Sequence, residues 1–346
     1  MYDSDTSTVQ TALQTSNPTV FNTQTINDIL ALTTKTGDAK VTFDTAAPDA
    51  NGNVTVAAGA EVVLVASSDT VSTIIKPPVN APVVIFQGKG GVVATFNDGA
   101  TTVPAGDGKV DRIVVGSAGN DKIVVADHKD TKIVLGTGNS TVTAGGGNDT
   151  VVAGLGNSTI TGGTGDTVVV LSGNAASYTV TVNNGHAVVT NIANTHTTDI
   201  SKLQYVALDN GKALVFAANS VEASVATLYH TAFGRDAEAG GLNYWFDVVK
   251  GGASLKQVAQ YFTSSAEFAP FAAESNTAFV QDLYQHTFGR AGEDSGVAFW
   301  LDAIAHGSSR ADLIYYFAQI GGQNIAGTVH TEAQVVGSVT IVTGIV

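Results

Sequence analysis

The residues best placed to do chemistry in this chain are its acids. Asp and Glu number 30 against 16 Lys and Arg among 346 residues, a formal charge of −14. Such a field repels phosphate backbones and anionic headgroups, so the sequence argues against nucleic acid as a partner and favours cations. Nucleophile and base pairings are missing. The seven histidines show no HExxH spacing, no GxSxG elbow or phosphate-cradling GxxxxGK[ST] occurs, and the absence of cysteine removes disulfides, thiolate zinc sites and cysteine nucleophiles together. Two converging carboxylates could hydrolyse a glycoside, but no motif supports such a pair. The expectation is therefore a protein that is not an enzyme.

The acids that recur do so in register with glycines. Gly138, Gly147, Gly156 and Gly165 are nine residues apart, as are Asn139, Asn148, Asn157 and Asp166, and so are Ile133, Val142, Val151, Ile160 and Val169. Three residue classes sharing one period mark a repeat unit. Gly116 to Val124 and Val110 to Val115 continue it with ten-residue spacings. A turn every nine residues needs glycine or asparagine where φ is positive, and each short strand needs an apolar side chain to fill the interior.

This run resembles the glycine-rich nonapeptide GGxGxDxUx of RTX proteins, whose repeats fold as a parallel β-roll or β-solenoid with the apolar U residue inward. The resemblance implies calcium between successive coils, because a hard cation wants six to eight oxygens. The sixth position here reads Asp111, Asp121, Thr131, Ser140, Asp149, Ser158 and Thr167, so a full calcium ladder is absent. Few sites are expected. The more acidic side offers Asp111, Asp130, Asp149 and Asp166, with Asp149 central, and Asp121 lies on the other side. The competing reading is a calcium-independent stack in which turn side chains hydrogen-bond the backbone.

A second repeat, of 55 residues, fills the last third. LYHTAFGR from Leu228 pairs with LYQHTFGR from Leu283, GLNYW from Gly241 with GVAFW from Gly296, and Tyr261-Phe262 with Tyr316-Phe317. Apolar residues at three-, four- and seven-residue steps predict three amphipathic helices per copy. Ser254 is placed as an N-cap, Gly234 and Gly251-Gly252 as C-caps, and Ser264 with Glu267 as a capping box. These units resemble the helical domain of unknown function numbered 4214. Arg235 with Glu238, and Arg290 with Glu293, are expected to form ion pairs at turns, and Trp245 and Trp300 to join the core.

The expected architecture is multidomain, β plus α. Residues 1–36 form an N-terminal arm or short helix, residues 37–105 an all-β sandwich-like region, residues 106–170 the RTX-like parallel β-roll and residues 171–218 a β-hairpin cap. Residues 219–326 are an all-α tandem repeat, and residues 327–346 a β-prone tail. No window approaches the roughly 18 apolar residues of a membrane helix, so no membrane insertion is expected. The first 34 residues carry neither basic charge nor apolar run, so no Sec signal peptide is visible. The RTX resemblance instead implies type I secretion through an uncleaved C-terminal signal.

These features lead to the expectation of a secreted structural protein that self-assembles at the bacterial surface as a layer, matrix or filament subunit. The alternative is an adhesin-like module binding envelope polysaccharide or a surface protein. In the first reading the tail run carrying Val335, Val336, Val339, Ile341, Val342 and Ile345 could add as a strand to a neighbouring subunit, with a secretion signal or a strand docked in its own domain as the rivals.

Overall fold

The computed structural model describes residues 2–34, 40–99, 109–173, 177–183, 186–193, 196–203, 205–208, 213–217, 220–235, 239–323, 333–336 and 339–343. The chain divides into two units, residues 1–203 and 204–346.

The first unit opens with a short strand, β1 (Tyr2–Asp5), and two helices, α1 (Thr6–Ser16) and α2 (Thr23–Thr33). Strands then follow as β2 (Lys40–Ala46), β3 (Val62–Ala66), β4 (Thr73–Ile75), β5 (Val83–Gln87), β6 (Val92–Phe96), β7 (Arg112–Val115), β8 (Lys122–Val125), β9 (Thr131–Val134), β10 (Ser140–Thr143), β11 (Asp149–Val152), β12 (Ser158–Thr161) and β13 (Thr167–Leu171). From β3 onward, successive strands fall alternately into two mostly parallel sheets. One runs β1-β2-β3-β5-β7-β9-β11-β13; the other runs β4-β6-β8-β10-β12 and ends in β16 (Thr197–Ser201), β15 (His186–Asn191) and β14 (Tyr178–Asn183), the last two antiparallel.

Register explains the nine-residue spacing. Val114, Ile133, Val151 and Val169 stack as one parallel row, and Ala94, Ile123, Val142, Ile160 and Ile200 as the other. All nine are essentially solvent-free. Each such valine or isoleucine contributes about 1.5–3 kcal/mol of burial, so the rows make a continuous core.

Two expectations are corrected. Residues 37–105 are no separate sandwich: β2, β3 and β5 pair in parallel and lead directly into β7, while β4 and β6 lead into β8. Alternating apolar residues look the same in either strand direction, and prolines with irregular spacing hide the continuation. The segment 1–36 is also more than an arm. Val9, Leu13, Val20, Phe21, Ile26 and Ile29 pack on Val41, Phe43, Val83, Ile113 and Val115. This cover explains why β7 is buried at all four positions. Asn22 caps α2 by accepting the Thr25 N–H at 2.9 Å, and Lys132 on the sheet pairs with Asp28 on the helix.

The second unit contains β17 (Tyr205–Leu208), β18 (Ala213–Ala217), β19 (Ala333–Val336) and β20 (Val339–Thr343), ordered β17-β18-β20-β19. The boundary between units thus falls inside the expected 171–218 cap. Helices α3 (Ser220–Phe233), α4 (Ala239–Lys250) and α5 (Leu255–Thr263) form the first helical copy. A 3-10 turn (Ala266–Phe268) and α6 (Ala269–Ala272) lead to α7 (Asn276–Phe288), α8 (Asp294–Ala305) and α9 (Arg310–Gln323), the second copy. Ser254 caps α5 in a reciprocal box with Gln257. The other expected box shifts by one residue. Ser264 ends α5, Ser265 accepts the Phe268 N–H, and Glu267 turns away to Arg235. The Asn184-Gly185 and Asn210-Gly211 turns and Glu238 lie outside the described residues.

Candidate functional site

The turns between the two sheets hold the acids singled out by sequence, and glycine lets these turns stack. A Cβ on Gly154 would lie 1.8 Å from the Gly136 carbonyl oxygen, and one on Gly163 would lie 1.7 Å from that of Gly145. None of the repeat glycines has positive φ. The nine-residue glycine therefore answers to the closeness of neighbouring turns, and the expected demand for left-handed backbone is corrected.

Beside the glycines run ladders of polar side chains. Asn139 N–H donates to Asn120 Oδ1 at 2.8 Å, Asn157 N–H to Asn139 Oδ1 at 2.9 Å, and Thr197 N–H to Asn157 Oδ1 at 2.9 Å. On the opposite side Asp130 N–H donates to Asp111 Oδ2 at 3.1 Å, and Asn148 N–H to Asp130 Oδ1 at 2.7 Å. Asp111 and Asp130 thus do the work that asparagine does across the repeat, satisfying the main chain of the next turn. Asp166 is exposed, and its backbone carbonyl accepts the Asp149 N–H at 2.7 Å.

Asp149 belongs to a different column. Strand pairing aligns Arg112 with Thr131 and Asp149 with Thr167, and these four side chains are buried. The four acids read from sequence as one line are therefore split between a turn column and an interior column. The reason is a single extra residue: Arg112 and Thr131 are 19 apart, where the strict repeat requires 18. That slip puts Arg112, and not Asp111, on the inward face.

The interior column is closed by charge and hydrogen bonds. Arg112 donates to both oxygens of Asp127, at 2.9 and 2.8 Å, and to Thr131 Oγ1 at 2.9 Å, with its guanidinium carbon 4.7 Å from the Phe96 ring centroid. Both partners are shielded from solvent, with 1% and 0% side-chain exposure. Asp149 accepts Thr131 N–H at 3.1 Å and Gly145 N–H at 2.6 Å. Burial pushes its carboxyl up to about 6; the hydrogen bonds from Gly145 and Thr131 and the Arg112 charge pull the other way, while the Asp127 charge adds to the rise. Asp121 sits in the second sheet's interior column and accepts Val92 N–H at 3.0 Å, Ser117 N–H at 2.8 Å and Ser117 O–H at 2.5 Å. Burial raises its carboxyl as well, opposed by these same hydrogen bonds.

Asp127 was missed in the sequence. It stands in the turn where other repeats have glycine, since the Cβ of Gly145 would meet the Asp127 carbonyl oxygen at 2.6 Å. An acid in a glycine slot, 15 residues after the only arginine of the strand repeats, was the available signal.

This arrangement does not suit a calcium ion. Oxygens that would have to face a cation face N–H and O–H donors, and a guanidinium already occupies the acidic interior. Among the described residues no group of three or more His, Asp or Glu is gathered as a metal site.

In the helical unit, Arg235 donates through Nε to Glu267 at 2.7 Å and through Nη2 to Tyr229 Oη at 2.8 Å. Arg290 lies 3.6 Å from Glu293 as expected, on a pair that is more than half exposed. Trp245 and Trp300 are half-buried and stack on Tyr261 and Tyr316. In the tail, Val335 and Val336 lie on β19, and Val339, Ile341 and Val342 on β20, which pairs in parallel with β18 of the same chain; Ile345 lies outside the described residues. No helix among the described residues is long and apolar enough to cross a membrane.

With this geometry in hand, the helical region is recognisable by family. Residues 216–272 and 259–320 match the family described as Domain of unknown function (DUF4214), in two segments that follow the two helical copies. The strand-rich first unit lies outside both. No curated protein matches the chain, and neither does any solved structure.

Proposed function

We propose that this protein is a non-enzymatic structural subunit, exported without a Sec signal and self-assembling at the bacterial cell surface, whose first unit is a parallel β-solenoid of the RTX kind held without calcium. The observation that supports it is the use made of polar side chains in the repeats. The turn and interior acids of the repeats accept backbone N–H groups or, at Asp127, hold the internal arginine. A stack closed in this way supplies long lateral surfaces that need neither cofactor nor substrate. The tail contributes to a neighbour's sheet in this reading only by exchanging its place beside β18.

Negative-stain electron microscopy of the purified chain, in millimolar calcium and after chelation, tests both parts. Ordered sheets or fibres in both conditions are the expected result. Loss of order on chelation overturns calcium independence. Dispersed particles in both conditions overturn the subunit reading and favour a polysaccharide-binding module, to be tested next on a glycan array.

A further inference from the structure

The two helical copies differ in how they end. In the first copy, the face formed by Tyr229, Phe233 and Phe262 is covered by the turn that follows α5. Phe268 enters it, 6.4 Å from the Phe233 ring and buried to 1% exposure, and Glu267 reaches Arg235 and Tyr229. Tyr229 and Phe233 are accordingly only 8% exposed.

The second copy has the same face and lacks the cover. Tyr284, Phe288, Arg290, Trp300, Phe317 and Ile320 line an open groove. Tyr284 and Phe288 are half-buried where their counterparts are buried, and Ile320 is 46% exposed. Fifty-five residues after Glu267 and Phe268 stand Gly322 and Gln323, which supply neither the acid nor the ring. Arg290 remains over Tyr284, its guanidinium carbon 5.8 Å from the ring centroid, with the exposed Glu293 as its carboxylate neighbour.

A second observation points the same way. Gly234 ends α3 at φ 64° beneath His286 of the next copy, so closely that a Cβ would lie 2.3 Å from the imidazole. Gly289 ends α7 at φ 65° with nothing among the described residues within 4 Å of the same point.

We propose that the groove of the second copy receives a Ser-x-Glu-Phe turn from another polypeptide chain, with the phenylalanine between Phe288 and Phe317 and the glutamate on Arg290. The first copy defines this occupant, since its equivalent groove is filled by Ser265–Phe268. The inference stands on the difference between the copies and is independent of the export and assembly reading above.

The probe is a fluorescein-labelled peptide with the sequence of residues 264–273, titrated by anisotropy against the full chain. Saturable binding is expected. Replacing the peptide phenylalanine that corresponds to Phe268 by alanine should weaken it at least about tenfold, the scale of a central aromatic contact. Ile320→Asp, at an exposed position that leaves the core intact, should do the same. Arg290→Ala should weaken the glutamate peptide about threefold and leave the corresponding glutamine peptide unchanged, while Arg235→Ala in the covered first copy should weaken neither. No saturable binding to the full chain, equal binding of the alanine peptide, or indifference to both Ile320→Asp and Arg290→Ala would each overturn the proposal.

Discussion

The two units each contain an arginine that lies over an aromatic ring and donates to a carboxylate, and the pairs differ in almost nothing but water. Arg112 lies over Phe96 and holds Asp127 with 1% and 0% side-chain exposure; Arg235 lies over Tyr229 and holds Glu267 with 43% and 40%. In the sheets the pair replaces solvent, and Thr131 and the ring complete its surroundings. In the helices water competes for every charge. The same groups are thus obligatory in one place and an aid to positioning in the other.

Removing one partner breaks this comparison most severely. Asp127→Ala leaves a guanidinium buried without its anion and should destabilise the first unit by about 3–5 kcal/mol. Replacing both partners, Arg112→Met with Asp127→Leu, should recover most of that loss, because the double change removes the unpaired charge as well. Chemical denaturation of the single and double variants checks both; a double variant no more stable than Asp127→Ala would show that the pair does more than neutralise itself. Next in size is the stacking of turns. Gly154→Ala places a methyl 1.8 Å from a backbone carbonyl and should cost about 1–3 kcal/mol, read from the same denaturation curves.

The repeats were legible because periodicity survives without knowledge of partners. Ile133, Val142, Val151, Ile160 and Val169 announce an interior row, and the paired LYHTAFGR and LYQHTFGR segments announce two helical copies. Strand direction over residues 37–105 was not legible, since alternation carries no sign. The interior charge pair was lost through the one-residue slip before Thr131, which exchanged Asp111 for Arg112. Glu267 was assigned locally to Ser264, although its partner Arg235 lies 32 residues earlier; sequence patterns favour the near neighbour where a fold brings the distant one closer.

Acidity separates the units in another way. The Asp149 carboxyl lies at about 6 in the folded protein against an ordinary 3.8, so the native state takes up a proton between these values before the unfolded chain does. A group raised on folding contributes stability at low pH that is lost as pH rises through its folded value. This one should contribute about 1 kcal/mol more at pH 5 than at pH 7. Comparing wild type with Asp149→Asn by urea unfolding at pH 5, 6 and 7 isolates it from other groups, and the variant should lose that part of the slope. Parallel slopes would place the proton elsewhere, with Asp121, also raised by burial, the next residue to replace.

The smallest effect belongs to the exposed pair. Arg235→Ala should cost the helical unit no more than about 1 kcal/mol, because solvent replaces most of what Glu267 and Tyr229 lose. Its salt dependence is the sharper readout. The wild-type advantage over Arg235→Ala should shrink between 0.05 and 1 M salt, where the screening length falls to about 3 Å, whereas the advantage over Asp127→Ala should persist because ions do not reach the Arg112 pair. If the two advantages responded alike to salt, exposure would not be what divides these pairs, and the packing of Phe96 and Tyr229 under each guanidinium would have to carry the difference.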